Sequence, residues 1–119
     1  MKPERTKSSE WWRGTANHMW RVYFALERDG FQWDKLSEPN RKVYAVCHHL
    51  FLKKFSATDQ DILRMYFTSR WGDDRYAVED YSARTGTPTT VIWMVIRRAN
   101  KIVMQEIGLL EVKDDANDE

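Results

Sequence analysis

Apolar residues recur along most of the chain at spacings of three and four, and alternation over more than four residues is nearly absent. That period is helical, and five helices are expected. The first lies within Glu10 to Arg28, with Trp12, Met19, Val22, Tyr23 and Leu26 along one stripe and Gly30 as its stop. Gly14 weakens its first turn, so regular helix is expected from Thr15. A connector, Phe31 to Leu36, leads to Ser37, which predicts an N-cap for a second helix with Pro39 in its first turn. Val43, Cys47, Leu50 and Phe51 share one face of that helix, which should end near Phe55. Thr58-Asp-Gln-Asp61 has the form of a capping box, opening a third helix with Ile62, Leu63, Tyr66 and Phe67 as its apolar positions. Ser69 to Asp74 reads as a turn. A short fourth helix, Arg75 to Arg84, ends at Gly86, and a fifth runs from Pro88 to about Ile107 with Gly108 as its stop.

The spacing around Gly86 is that of a helix-turn-helix over residues 75–107. Gly86 stands where a tight turn needs a residue free to take positive φ. Tyr81 precedes it by five residues and Ile92 follows by six, so both point into the angle between the helices, with Ile96 and Ala99 continuing the stripe. Ser82 is small where the helices approach, Pro88 pre-sets the first turn of the fifth helix, and Thr87 is its expected cap. The fold expected is an all-α, compact orthogonal domain of about five helices over residues 10–110, with its helix-turn-helix at the C-terminal end. Residues 1–9 and the acidic tail 111–119 are too polar to pack and read as disordered.

Charge changes the picture only when divided along the chain. The whole has 19 Lys+Arg against 18 Asp+Glu, a formal net charge of +1, which does not mark a nucleic-acid binder. Residues 1–57 carry eleven bases against six acids, residues 58–110 seven against seven, and residues 111–119 one against five. Arg41, Lys42, Lys53 and Lys54 lie at the two ends of the second helix, where they complement a helix terminus or line a nucleic-acid backbone. The 119 residues, 42% hydrophobic, suffice for one core and leave no room for two ordinary domains. The front half holds Trp11, Trp12, Trp20, Tyr23, Phe24, Phe31 and Trp33, too many rings for one stripe, so packing on more than one side or an interface is expected. A dimer is favoured on that ground.

Candidate chemistry is sparse. The single Cys47 excludes an internal disulfide framework. In Cys47-His48-His49, neighbours on a helix point about 100° apart and do not close on one metal, so a buried thiol and no metal or cofactor are expected. Asp73-Asp74 read as a solvated helix cap, and with no Ser/His/Asp pattern, phosphate loop or H-E-x-x-H string, an enzyme is not expected. No stretch approaches the roughly 18 to 20 apolar residues of a membrane span, and no apolar segment follows the first charges, so a cytoplasmic, unprocessed protein is expected.

Thr58-Asp-Gln-Asp-Ile-Leu-Arg-Met-Tyr-Phe67, the two-helix unit after it, and Arg97-Arg98-Ala99-Asn-Lys101 running to Gly108-Leu-Leu110 together resemble region four of bacterial sigma factors and related small regulators of phages and prophages. The resemblance covers about residues 57–110; the first 56 resemble no sigma-factor region, and the nearest whole-chain likeness is a phage or prophage late-gene transcription activator. It implies promoter DNA as partner, contact with RNA polymerase, and a reading helix at 88–107. Thr85 and Thr87 depart from the apolar residues usual in that family and are expected to loosen the core. Projected outward on the fifth helix are Thr90, Met94, Arg97 and Lys101, flanked by Trp93 and Met104. For double-stranded DNA, Arg97 suits guanine O6/N7, Thr89 and Thr90 suit thymine methyls or phosphate, and Arg98 with Lys101 suit phosphate. Trp93 and Met94 complete the candidate site, and as large apolar groups they equally fit a protein-binding adaptor or inhibitor of phage origin. Trp93 has a third expectation, that it folds onto the front-half helices and finishes the core.

Overall fold

Where each helix begins and stops follows from how its end groups are satisfied. The computed structural model describes residues 12–69 and 74–108, so the termini, the two leucines after Gly108 and most of the turn at 69–74 lie outside the described residues. Helix α1 (Arg13–Asp29) begins ahead of the expected Thr15, because the carbonyl of Trp12 already accepts from Ala16 N–H at 3.0 Å, and Gly14 is accommodated in the first turn. It ends at Gly30, where φ of +80° lets the glycine N–H return to the Leu26 carbonyl at 2.9 Å. A 3-10 turn (Trp33–Lys35) leads to α2 (Glu38–Lys54), which Ser37 caps by accepting from Asn40 N–H.

Helix α3 (Ala57–Phe67) starts earlier than Thr58. Its cap is Ser56, whose hydroxyl accepts from Asp59 N–H at 3.2 Å. The cap lies two residues ahead of Thr58 because Ser56 takes the extended backbone of a cap, while Thr58 is already helical. Helix α4 (Asp74–Thr85) and helix α5 (Thr89–Glu106) are joined through Gly86, at φ +79°. Thr87 does not cap α5. The N-cap position is Pro88, with no side-chain cap, and the Thr87 hydroxyl lies 2.9 Å from that of Thr85. Thr85 itself donates to the Tyr81 carbonyl at 2.8 Å and accepts from Thr87 N–H at 3.3 Å, so the two threonines tie the turn together.

The helices share one core, with α1 packing on α2, α3 and α5, and α5 also packing on α2, α3 and α4. On α1 the buried set is Ala16, Met19, Trp20, Tyr23 and Phe24, rotated from the expected stripe. Val22 and Leu26 are half-buried, because partners on several sides shift the inward face toward the larger rings of Trp20 and Phe24. Trp20 is fully buried at the centre, stacked on Phe24 and Phe67 and edge-on to Tyr23 and Phe55. Its indole N–H donates to the Ala99 carbonyl of α5 at 3.0 Å. Tyr81, Ile92, Ile96 and Ala99 are buried as expected, and Tyr81 also donates to Asp61 of α3 at 2.8 Å, so α4 is held by both α3 and α5.

A Cβ placed on Gly86 would meet nothing within 4 Å, so the requirement for glycine there is a matter of backbone conformation alone. Gly86→Val is therefore expected to lower stability by about 1–3 kcal/mol, and Gly86→Asn by less, since asparagine tolerates the left-handed region. Urea denaturation of the two variants checks this: equal losses would show that the glycine answers a steric contact instead.

Candidate functional site

The inward face of α5 leaves one outward strip. Ile92, Val95, Ile96, Ala99, Asn100, Val103 and Met104 are buried, which places Thr90, Met94, Arg97 and Lys101 on the opposite side, all exposed. Met104, expected at the flank of this strip, is fully buried instead. Its direction lies between the two faces, and the thioether fills core space next to Val103. The outward strip is polar and basic in its centre: between Thr89 and Gln105 the helix carries no acidic residue, and Glu106 closes it.

The strip is not uniform. Thr89 is half-buried at the first turn, and Val91 and Met94 are large exposed apolar side chains, Met94 at 64%. Trp93 is half-buried, packing edge-on to Tyr66 at 5.7 Å between centroids, so its ring faces α3 more than solvent. One side of the indole joins the core through α3 and the other stays open.

The basic residues separate by role. Arg97 and Lys101 are exposed and make no hydrogen bond or ion pair among the described residues. Arg98 leans the other way. Its guanidinium donates to the Lys54 carbonyl at 2.9 Å, lies 3.9 Å from Asp59 and covers the ring of Phe55 at 4.9 Å. Gln60 donates to the carbonyls of Phe51 and Phe55 nearby, so the end of α2 is closed by one side chain from α3 and one from α5. Sequence reasoning gave Arg98 to phosphate because it stands beside Arg97; a target as remote as the Lys54 carbonyl leaves no local signal. Arg41 is likewise held, donating to the carbonyls of Trp33 and Asp34, whereas Lys42, Lys53 and Lys54 are exposed.

A second polar cluster joins α1 to α2. Tyr23 and His48 Nδ1 share a hydrogen bond of 2.8 Å, Tyr44 donates to Glu27, and the Tyr44 ring stacks on His48. Burial, with the Glu27 hydrogen bond second, pushes the Tyr44 phenol up to about 12, and burial also raises Tyr23 and Tyr81. Cys47 is fully buried, and that burial raises its thiol well above the ordinary 9.0. Among the described residues no group of three His, Cys, Asp or Glu side chains is placed to hold a metal ion. No described helix is long and apolar enough to cross a membrane.

No protein-family model, curated protein or solved structure matches the chain.

Two outcomes follow from these contacts. Arg98→Ala is expected to lower stability by about 1–2 kcal/mol through loss of a charge-assisted hydrogen bond and a ring contact, whereas Arg97→Ala leaves stability within about 0.5 kcal/mol. Equal denaturation midpoints for the two variants would contradict the separation of roles. Cys47 and the tyrosines hold their protons more tightly folded than unfolded. Stability is therefore full below about pH 9 and declines as pH rises through 9.0 for the thiol and 10.0 for the phenols, where the unfolded chain ionises first. Urea midpoints at pH 8 and pH 10.5 measure this, and an unchanged midpoint would refute it.

Proposed function

We propose that this protein is a sequence-specific DNA-binding transcription regulator in which α4 and α5 form a helix-turn-helix and α5 enters the major groove. The observation that carries this reading is the outward strip of α5, where Thr90, Arg97 and Lys101 are exposed, both cations are unpaired among the described residues, and no carboxylate precedes Glu106. A helix of 18 residues is about 27 Å long, and the major groove admits a helix along which three or four side chains reach base edges. In this reading Arg97 pairs with guanine, Thr89 and Thr90 contact thymine methyls or phosphate, Lys101 neutralises phosphate, and Trp93 with Met94 borders the groove. Arg98, half exposed, sets the angle of α5 against α2 and α3 and adds positive charge at the backbone. The resemblance to region four of sigma factors supports promoter DNA as the target and RNA polymerase as a second partner, in a phage or prophage setting. With only two unpaired cations on the strip, one module holds DNA weakly, so a second copy or the polymerase supplies the remaining affinity.

One observation favours a different reading, a protein-binding adaptor or inhibitor. Met94 and Val91 are large exposed apolar groups in the first two turns of α5, and a polarizable thioether suits a protein surface.

Selection from a random duplex pool, followed by anisotropy at two salt concentrations, separates the two. Arg97→Ala is expected to weaken the selected site by about 1–3 kcal/mol and to relax specificity at one base pair; Lys101→Ala should weaken all duplexes alike and reduce the salt slope by about one. No duplex affinity at low salt would overturn the DNA reading and leave the adaptor.

A further inference from the structure

A cleft of about 120 Å³ opens beside the outward strip, between the start of α1 and the middle of α5, with α3 at its back. Its walls are aromatic. Trp12 and Trp93, both half-buried, and Tyr66 supply three rings, and Arg97 stands on the lining with its guanidinium unpaired among the described residues. The rest of its polar lining is Arg13 and Asn17 of α1 and Asn100 of α5. Asn100 is 4% exposed, its Nδ2 donates to Asn17 Oδ1 at 2.9 Å, and its own Oδ1 has no hydrogen-bond partner among the described residues.

Each feature restricts the occupant. At about 120 Å³ the cleft is smaller than the roughly 150 Å³ cavity that encloses one benzene, so it takes at most one six-membered ring, with substituents projecting through its open side, and is too small for a nucleotide. Tryptophan and tyrosine walls suit a flat ring by stacking and edge contact. A planar guanidinium with no counter-ion suits a carboxylate held by two parallel hydrogen bonds. The amide pair closes the floor of the cleft: the Asn100 Nδ2 hydrogen bond to Asn17 ties α5 to α1 beneath the rings. We propose that this cleft binds a monocyclic aromatic carboxylate, a benzoate derivative, with the ring between Trp12 and Trp93 and the carboxylate on Arg97.

Such a ligand uses Arg97 of the outward strip and Trp93 at its flank. Arg97 engaged by a carboxylate is withdrawn from a base edge, so the ligand lowers affinity for the specific DNA site. The binding site stands on the cleft itself; only its effect on DNA rests on the DNA-binding reading.

The test follows the indole N–H resonances of the full ¹⁵N-labelled chain during titration with the three hydroxybenzoate isomers, 4-hydroxybenzyl alcohol and acetate. At least one hydroxybenzoate is expected to shift Trp12 and Trp93 saturably while Trp20, bonded to the Ala99 carbonyl, stays nearly unmoved. The alcohol should bind about tenfold or more weakly and acetate should shift neither, and Arg97→Gln, at an exposed position that leaves the fold intact, should weaken hydroxybenzoate by about tenfold. No saturable shift with any isomer overturns the site, as does equal affinity for acid and alcohol, or an unchanged affinity in Arg97→Gln. A second arm adds the bound isomer to the selected duplex complex. Weakened DNA binding supports the regulatory role and unchanged binding overturns it. A chain with no duplex affinity in any condition defeats the DNA reading and the regulatory role together, while the resonance titration decides the ligand site independently.

Discussion

The indole of Trp20 is the group on which the rest of the arrangement depends. It leaves α1 with no exposed surface, contacts rings from α1, from the end of α2 and from α3, and donates its one hydrogen bond to a carbonyl in the middle of α5. A tryptophan can be buried so completely only if its N–H finds an acceptor, and the Ala99 carbonyl provides one in addition to its place in the helix ladder. That bond fixes both the height and the rotation of α5 relative to α1. Since Ala99 is at the centre of the inward face, the same constraint decides which residues of α5 face outward.

The opposite side of α5 is positioned by a second set of contacts. Arg98 reaches the last turn of α2, where Gln60 satisfies two more carbonyls, so a helix end that would otherwise leave carbonyls open becomes the place where α2, α3 and α5 meet. On α4 the tie is Tyr81 to Asp61, and the Thr85 and Thr87 hydroxyls complete the turn after it. Helix α5 is thus held from the α1 side by an indole and from the α2 side by a guanidinium. Among the described residues, Arg97 and Lys101 are the α5 cations that no neighbour uses, and this is the physical basis for reading the strip as a binding face.

Periodicity and end chemistry carried much of this in the sequence. Ser37 with Pro39, Gly30, Gly86 and Gly108 mark ends that local rules predict, because a cap and a positive φ are properties of a few consecutive residues. The residues buried around the turn, Tyr81, Ile92, Ile96 and Ala99, were legible from spacing alone. The cap of α3 was misplaced because Ser56 and Thr58 both have capping side chains two residues apart, and only the backbone path between α2 and α3 chooses one. The stripe of α1 was misjudged for another reason. A helix packed by three others has a wide inward face, and its centre is set by where those partners lie rather than by the pattern of α1 itself.

What the sequence by itself determined is the all-helical class, the approximate span of each described helix and the outward position of Thr90, Met94, Arg97 and Lys101, since a period of 3.6 residues and a local stop are encoded within one segment. Only the tertiary structure decided that Arg98 reaches the Lys54 carbonyl, that Met104 enters the core, that Trp93 is shared between core and surface, and that Trp12 and Asn17 come to lie beside Arg97 and Asn100. Asn17 and Asn100 are 83 residues apart in the chain, and Arg98 and Lys54 are 44 apart. No local pattern specifies such a meeting, because it depends on the angles at which whole helices pack, and those angles are set by the shape of the core between them.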